Sequence, residues 1–290
     1  MTTKLASEDM VPLPSDTGSL GNRINWATRK QHSRINALIN LKMVFALRNA
    51  RTYRKGIQAF YHVFNTFEQC WDEEKAKDTP MAAILREVWQ PAMARTVPLE
   101  RDLMFYYGDR SKFESPVLPA QVDFVAHIRK RVADKPHLLL AYGHVMYLAL
   151  FAGGRILRSK LAMSAGLFPH VEGMTAEEVM LQGTNLFRFE VDDEEALRLS
   201  FKKTFELQTR NALSEQQKRE IIEESLEIFR RNTEMVSEIE RVWRARLVAS
   251  TTYVVLYRLS IAALVGLVVY AALHGRHLMW SADADQADQA

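Results

Sequence analysis

Apolar residues recur at helical spacing through almost all of residues 23–248, and this period constrains the fold more than any other feature of the sequence. It is not interrupted by sustained alternation of apolar and polar residues, the pattern that indicates half-buried strands. First-turn prolines and capping side chains predict helix starts at Pro80, Pro136, Thr175 and Ser214. The sequence therefore predicts an all-α domain with helices near residues 23–46, 53–76, 80–107 (broken at Pro91 and Pro98), 119–134, 136–164, 193–210 and 214–248.

Three segments lack this period. Residues 108–118 and 165–192 are rich in Gly, Pro, Ser and Asp and are predicted to be loops, the second long enough to suggest a function. Residues 1–22 carry Pro and Gly among polar residues and no apolar core of a signal peptide. We predict a disordered leader over 1–22.

A long apolar run lies near the C-terminus. Tyr253–Leu273 has 21 residues interrupted only by Arg258, and a helix of that length spans about 30 Å, the thickness of a bilayer's hydrocarbon core. The alternative interpretation is a buried core helix. We predict a transmembrane helix over 253–273 and a short tail over 274–290.

The position of this run predicts its topology. Because only 17 residues follow it, it would leave the ribosome too late for a translocon to read it, which predicts a tail anchor with residues 1–250 in the cytosol. Arg241, Arg244 and Arg246 before the run agree with the positive-inside rule. The endoplasmic reticulum is the default membrane, although the basic tail also suits the mitochondrial outer membrane.

Composition excludes several classes of function. Cys70 is the single cysteine, which excludes a disulfide framework and a CxxC zinc site and favours a reducing compartment. The 38 Lys and Arg residues against 35 Asp and Glu leave a formal charge of +3, too small and too scattered for a nucleic-acid surface. We expect no nucleic-acid partner.

The segment from Leu140 to Met163 combines a strongly apolar helical pattern with Gly143 and the adjacent pair Gly153 and Gly154. Each glycine inside a helix costs about 1 kcal/mol relative to alanine. The pair leaves one helix face without bulk for more than a turn. A neighbouring helix, a flat ligand and a kink are three explanations that spacing alone leaves open.

His32 is a second candidate site residue. A lone histidine on a helix is usually a hydrogen-bonded structural residue, but here Arg29 lies one turn earlier and Thr28 and Ile35 continue a mostly apolar stripe. An imidazole facing an apolar slot would thus have a cation near the rim. This arrangement suits an amphiphilic ligand with anionic edges.

Five motifs follow one another along the chain. They are Ala27-Thr28-x-x-x-His32, Phe60-Tyr-His-Val-Phe64, Leu99-Glu-Arg-Asp-Leu-Met-Phe-Tyr-Tyr-Gly108, Tyr147-Leu-Ala-Leu-Phe-Ala-Gly-Gly-Arg-x-Leu157, and Phe187-Arg-Phe189 with Lys203, Asn211, Phe229 and Asn232 downstream. Together they resemble the heme oxygenase family, whose all-α fold grips heme between a proximal and a glycine-rich distal helix. The resemblance covers about residues 23–240, and a C-terminal anchor is typical of the family's eukaryotic members.

The resemblance implies that heme is both substrate and cofactor. His32 would ligate the iron, Arg29 and Lys203 would neutralise the propionates, and Tyr147 and Phe229 would contact the heme. Oxygen and electrons from an NADPH-dependent reductase on the same membrane would open the porphyrin to biliverdin, carbon monoxide and ferrous iron. For each cation taken alone, the alternative is a solvated surface charge.

The resemblance also implies that oxygen binds to the iron on the side of the glycine-rich helix, which we call the oxygen side. The catalytic residues there would be Gly153 and Gly154, with Ala149 and Leu150 beside them. A wall without side chains would let backbone crowd the bound oxygen and tilt it toward the porphyrin edge. Leu150 stands where the family has a proton-relaying aspartate, and Ala149 where it has glycine. Leucine cannot relay a proton, so a water, His144 or Tyr142 would have to do so.

Other departures weaken the expected heme contacts. Asn36 replaces the family's glutamate one turn after the proximal histidine, which would lower the basicity of that ligand. Leu207 and Met146 stand where the family has arginines, so the mouth has fewer cations. Lys202, Arg210 and Arg155 are candidate substitutes.

Three functions follow from these observations. The first is a heme oxygenase that has rebuilt its proton relay. The second is a membrane-tethered heme carrier or sensor that kept the pocket and lost oxygenase activity, and the third is a helical membrane adaptor without heme. Heme binding separates the third from the others, and bile-pigment formation separates the first from the second.

Overall fold

The computed structural model describes residues 12–46, 50–116, 118–162, 164, 167–168 and 170–287. These residues form α-helices and short 3₁₀ or π turns and contain no strand, which confirms the predicted all-α class. The helices are α1 (Leu20–Ala46), α2 (Ala50–Lys75), α3 (Pro80–Val88), α4 (Thr96–Tyr107), α5 (Pro119–Asp134), α6 (Leu139–Tyr142), α7 (Leu148–Ala162), α8 (Ala176–Gln182), α9 (Glu194–Arg210), α10 (Glu215–Ala249) and α11 (Thr251–Ala287). The chain divides into two compact units, Met1–Ile239 and Glu240–Ala290.

The core of the first unit is built around α2. This helix packs against α1, α3, α4, α5 and α6, and its aromatic residues at helical spacing form the centre, with Phe64, Phe67 and Trp71 at most 1% exposed. Burying each such side chain contributes about 1.5–3 kcal/mol. The apolar residues recur at helical spacing because one face of each helix is buried in this aromatic core.

Three of the predicted helix starts are confirmed by their caps, whereas the fourth, Pro136, begins a 3₁₀ turn without a side-chain cap. Thr79 Oγ1 accepts a hydrogen bond from Ala82 N over 3.0 Å at the start of α3. Thr175 and Glu178 form a reciprocal capping box on α8, and Ser214 and Gln217 do the same on α10. These bonds satisfy first-turn amides that have no acceptor within the helix.

The break predicted at Pro91 is present, whereas the one predicted at Pro98 is not. Pro91 begins a 3₁₀ turn between α3 and α4. Pro98 instead lies in the first turn of α4, which begins at Thr96. First-turn amides have no intrahelical acceptor, so a proline there removes no hydrogen bond.

The described part of the predicted leader belongs to the folded unit. Helix α1 begins at Leu20 rather than near residue 23. Ser19 is 1% exposed, and its hydroxyl donates to Glu206 Oε2 of α9 over 2.8 Å. Arg210 of α9 forms an ion pair with Asp16. Residues 1–11 of the predicted leader lie outside the described residues.

The predicted long loop 165–192 contains α8 and a 3₁₀ turn at Asn185–Phe187. Asp102 of α4 holds that turn, since its carboxylate accepts from Asn185 N over 2.7 Å and from Leu186 N over 2.8 Å. Asp102 is fully buried. The loop is thus fixed to the core by backbone bonds to one carboxylate.

The helix predicted over 136–164 is interrupted. A 3₁₀ turn at Pro136–Leu138 leads into α6, and a π-turn at Gly143–Tyr147 separates α6 from α7. We call residues 139–162 the glycine-rich segment. A π-turn inserts one residue into the helical repeat and often marks a functional site.

The second unit contains α11, whose residues Thr252–His274 are long and apolar enough to cross a membrane. Among the described residues, this is the one candidate for a membrane span, and none of it is buried inside the structure. Ser250 Oγ caps its first turn by accepting from Tyr253 N over 3.2 Å. The helix continues beyond the predicted span, through residue 287.

Candidate functional site

Helix α1 and the glycine-rich segment are tied together at two places. His144 Nε2 of the π-turn donates to Asn25 Oδ1 over 3.2 Å, and Lys160 Nζ of α7 donates to Asn40 Oδ1 over 3.0 Å. Residues 25 and 40 of α1 are about 22 Å apart along the helix axis. Between these bonds the described backbones of α1 and α7 rarely come close. The two bonds join the helices near both ends of this stretch, and we call the region between residues 25–40 of α1 and residues 144–160 the slot.

His32 lies near the middle of the α1 wall of this slot. It is exposed, although its neighbours on the same helix face, Thr28 and Ile35, are only 3% and 7% exposed. The edge of its ring meets the ring of Phe229 of α10, with centroids 5.9 Å apart and planes at 79°. The imidazole of His32 is therefore accessible, although the residues one turn before and after it are buried.

Asn36 holds the His32 ring from one turn further along α1. Its Nδ2 lies 3.3 Å from His32 Nδ1, and turning the amide over would present Oδ1 to the same ring nitrogen. The pair therefore accommodates either imidazole tautomer. Only the second arrangement, in which Nδ1–H donates to the amide oxygen, leaves the lone pair of Nε2 for an external ligand.

The two predicted cations lie on packed helices, Arg29 on α1 and Lys203 on α9. The guanidinium of Arg29 stacks over Trp26 at 4.4 Å and donates to the Trp26 carbonyl over 2.8 Å. Lys203 is half-buried, and Leu207, one turn further on, is 49% exposed. The structure thus places Arg29, stacked on an aromatic ring, on the α1 side of the slot. Position 207 carries an uncharged leucine.

Gly153 and Gly154 differ in their surroundings. A Cβ at Gly153 would meet no described atom within 4 Å, whereas one at Gly154 would lie 3.6 Å from the carbonyl oxygen of Phe187. Helix α7 remains α-helical through both positions. The sequence left a flat ligand, a neighbouring helix and a kink as explanations of the glycines. The open space at Gly153 fits a ligand, and the close carbonyl at Gly154 fits a packed neighbour. The irregular backbone lies earlier, at the π-turn.

Ala149 and Leu150 lie one turn before the glycine pair. Ala149 is exposed and Leu150 is half-buried, with its side chain packed against the core. The next residue, Phe151, stacks on Phe189 with centroids 4.2 Å apart. This part of α7 offers apolar surface, and its side chains at 149 and 150 carry no group that transfers a proton.

Gly143 and Tyr147, at the two ends of the π-turn, face the core. A Cβ at Gly143 would lie 2.9 Å from Cη2 of Trp71, so only glycine permits this approach. Tyr147 is 2% exposed, and its hydroxyl donates to Glu68 Oε1 of α2 over 3.0 Å. The structure therefore uses the Tyr147 hydroxyl for an interhelical bond, and Glu68 is a residue that sequence reasoning missed.

The candidate replacement relays have other partners. The Tyr142 hydroxyl donates to Glu224 Oε1 of α10 over 2.7 Å. His144 is bound to Asn25, and burial together with the nearby charge of Lys202 lowers the pKa of His144 to about 3. Burial likewise lowers the pKa of His62, on α2, to about 4. Both histidines are neutral at physiological pH.

Asn232 of α10 carries a buried polar atom without a partner among the described residues. Its Nδ2 donates to the Ile228 carbonyl over 2.9 Å and lies 3.5 Å from the Met146 sulfur, while its Oδ1 is buried and unpaired. Asn232 lies one turn after Phe229, which contacts His32. An unpaired amide oxygen at this point is a natural place for a water or a polar ligand.

The basic residues proposed to replace the missing arginines include one that already forms ion pairs with other residues. Arg210 pairs with Asp16 and with Glu206, the second at 2.6 Å. Burial lowers the pKa of Lys202, which is half-buried. The side chain of Arg155 lies outside the described residues.

Comparison with known proteins identifies the family of this chain. The heme oxygenase family model matches residues 18–238. A heme-binding protein of Saccharomyces cerevisiae, HMX1, is 35% identical over 86% of this chain and 84% of its own length. Heme oxygenase 1 of the cyanobacterium Synechocystis is 29% identical over 77% of this chain and 85% of its own.

Solved structures show the same fold. The crystal structure of the Synechocystis heme oxygenase-1 in complex with heme aligns with a TM-score of 0.63 and 25% identity, over 83% of this chain and 99% of that one. Heme oxygenase 2 of Chlamydomonas reinhardtii, crystallised without heme, aligns with a TM-score of 0.66 at 23% identity, over 76% and 97% of the two chains.

Proposed function

Because this chain belongs to the heme oxygenase family, we propose that it binds heme in the slot between α1 and α7 and opens the porphyrin to biliverdin, carbon monoxide and ferrous iron. One observation carries the proposal. The slot is bounded by the bonds His144–Asn25 and Lys160–Asn40, and the midpoints of its two walls are an exposed imidazole and a glycine with free space above it.

The residues present fit a heme. His32 offers Nε2 from one wall, and Gly153 leaves the other wall open at the backbone. Phe229 and Leu150 supply apolar surface for the flat macrocycle. Asn232 Oδ1 is an unpaired polar atom close to the His32 end. A slot with one ligating nitrogen between apolar walls is what an iron porphyrin requires.

Bound heme supplies the iron that activates oxygen with electrons from an NADPH-dependent reductase on the same membrane. The chain's own residues bind and orient it. His32 ligates through Nε2 while Asn36 fixes its ring at Nδ1, and Arg29 and Lys203 neutralise the carboxylates at the slot mouth. Because Gly153 has no side chain, the backbone of α7 can lie close to the face of the heme where oxygen binds.

Leu150 makes the oxygen side drier than an aspartate would. A half-buried leucine excludes water and neither holds nor moves a proton, and the hydroxyl of Tyr142 is bound to Glu224. Protons for ring opening would therefore come through water held by backbone carbonyl groups. We expect slow turnover as a result.

A second candidate function is a heme carrier or sensor tethered to a membrane. It is favoured by the apolar oxygen side, since Ala149 and Leu150 provide no proton-transferring group. The 35% identical Saccharomyces cerevisiae relative is named as a heme-binding protein. This function needs the same slot and the same His32, but no ring opening.

Helix α11 would anchor either protein to a membrane. We propose a tail anchor through residues 253–273, with the heme domain in the cytosol and the endoplasmic reticulum as its membrane. The length and apolar composition of Thr252–His274 support the span. The reductase partner would then share the same membrane surface.

Two measurements on the full chain in detergent test these proposals. Titration with hemin should give a saturable Soret band, and a chain without that band would be a helical adaptor. Single-turnover spectroscopy with oxygen and a reductase should then show conversion of bound heme to biliverdin. Stable heme binding without bile pigment would establish the carrier and refute the oxygenase.

A further inference from the structure

Two buried tyrosines bracket the π-turn, and each donates a hydrogen bond to a buried carboxylate on another helix. Tyr142 donates to Glu224 of α10 over 2.7 Å, and Tyr147 donates to Glu68 of α2 over 3.0 Å. The four side chains are at most 5% exposed. The chain therefore fixes the backbone on both sides of the one irregular turn in the glycine-rich segment.

The π-turn decides which face of α7 lines the slot. An inserted residue rotates the helix that follows by about 100° and shifts it by about 1.5 Å. Gly153 lies six residues after Tyr147, about 9 Å further along the axis. A small rotation at Tyr147 therefore moves the open face of Gly153 away from α1.

We propose that Glu68 is a positioning residue that, through Tyr147, fixes the rotation of α7 and so keeps the open face of Gly153 toward the slot. The proposal rests on the proposed heme site, because the orientation of Gly153 has a consequence only if a ligand occupies that space. It assigns Tyr147 a role through Glu68 instead of the direct heme contact expected from the sequence.

Glu68 is held rigidly enough to serve as this anchor. Its carboxylate accepts from Arg95 N over 2.7 Å and from Thr96 N over 3.0 Å, and the Thr96 hydroxyl donates to it as well. These donors belong to the start of α4, which packs against α2. The Tyr147 hydroxyl thus meets an acceptor whose position is already set by two other helices.

Packing fixes the position of the Tyr147 ring more strongly than it fixes the direction of its hydroxyl group. Its ring contacts the rings of Phe64, Phe67, Trp89 and Phe201. Apolar contacts of this kind are non-directional, whereas a hydrogen bond weakens steeply with misalignment. Tyr147→Phe keeps the contacts and removes only the directional bond.

Tyr142 provides a matched control in the same segment. It is as buried as Tyr147 and also donates to a buried glutamate, but it lies before the π-turn. Tyr142→Phe should therefore loosen α6 without rotating α7. If the tyrosines serve stability alone, the two substitutions will act alike.

The experiment uses the full chain in detergent and two readouts. Hydrogen exchange without heme should become several-fold faster in the first two turns of α7 in Tyr147→Phe, and only in α6 in Tyr142→Phe. In the ferrous carbon monoxide complex, Tyr147→Phe should shift or split the C–O stretching band, which senses the approach of the α7 backbone. Tyr142→Phe should leave that band unchanged.

Glu68→Gln gives a second route to the same result, and combining it with Tyr147→Phe should add nothing further to the band shift. Equal effects of the two tyrosine variants, or no effect of Tyr147→Phe on either readout, would overturn the proposal. Should wild type show no Soret band with hemin, the proposed function fails, and the exchange rates of α7 still decide whether Glu68 orients it.

Discussion

At the scale of single residues, His32 carries the prediction with the clearest spectral outcome. We expect His32→Ala to abolish the six-coordinate absorption spectrum of the hemin complex, since the substitution removes the ligating nitrogen. An exposed histidine contributes little to packing, so the free energy of unfolding should change by less than about 0.5 kcal/mol. Added imidazole should restore the wild-type spectrum by filling the vacated space.

His170→Ala is the matched control for this prediction, because His170 is also exposed but lies in the loop before α8. Its hemin spectrum should equal that of wild type. An unchanged spectrum in His32→Ala would move the ligand elsewhere, with His144 and His62 as the next candidates despite their burial.

In the proposed heme site, Leu150 would limit how much water reaches the side where oxygen binds. Leu150→Asp, with Ala149→Gly to recover backbone room, should speed biliverdin formation and suppress peroxide-driven oxidation of a test phenol, because a carboxylate can hold water and pass protons. Each tenfold gain in rate corresponds to about 1.4 kcal/mol of barrier. The measurement is single-turnover spectroscopy with a reductase.

Leu150→Asn separates proton transfer from polarity alone, since the amide holds water but does not exchange a proton near neutral pH. It should give a smaller gain than Leu150→Asp. A wild type that already turns over quickly, with no gain from Leu150→Asp, would show that other residues have rebuilt the relay.

His144 makes the stability of the protein sensitive to acid. Burial lowers the pKa of His144 in the folded state to about 3, below the usual 6.5 of histidine. The unfolded chain therefore binds a proton that the folded chain does not, so stability falls as the pH drops from about 6.5 toward 3. Urea unfolding at pH 7 and pH 5 should show a smaller loss on acidification in His144→Gln than in wild type, and an equal loss would contradict this account.

At the scale of the helical element, two glycines of the same segment should respond in opposite ways to the same substitution. Gly143→Ala would place a methyl group 2.9 Å from Trp71, and such overpacking costs about 1–3 kcal/mol. Gly153→Ala meets no described atom within 4 Å and should stabilise the helix by up to about 1 kcal/mol.

The heme affinities should show the reverse order. The methyl group of Gly153→Ala enters the slot and should weaken hemin binding, while Gly143→Ala acts on the core and should leave the affinity of the folded fraction near that of wild type. Denaturant unfolding and hemin titration of both variants measure the two effects. Unweakened hemin binding by Gly153→Ala would place the ligand elsewhere.

At the scale of the whole molecule, the two compact units should separate by their solubility. A chain ending at Val242 retains all of the first unit, Met1–Ile239, and should be soluble and monomeric with a normal hemin spectrum. The full chain should sediment with membranes. A chain ending at His274, which keeps the candidate span, should behave like the full chain, and recovery of the full chain in a carbonate supernatant would contradict the anchor.

The sequence by itself determined the all-α class and several of the helix starts. Thr79, Thr175 and Ser214 cap their helices with atoms only three residues away, so the relevant interaction is local and visible in the order of residues. The helical period likewise survives because one face of each helix must be buried. Motif order along the chain was sufficient to identify the family.

Only the tertiary structure decided what each side chain of the site meets. Gly143 and Gly153 look alike in sequence, yet one faces Trp71 and the other faces open space. Tyr147 is predicted to contact the heme, and only the structure shows that its hydroxyl is bound to Glu68, which lies 79 positions earlier in the chain. Ser19, assigned to a disordered leader, is buried against Glu206 of α9. These outcomes depend on contacts between residues far apart in sequence, and such contacts exist only once the helices have packed.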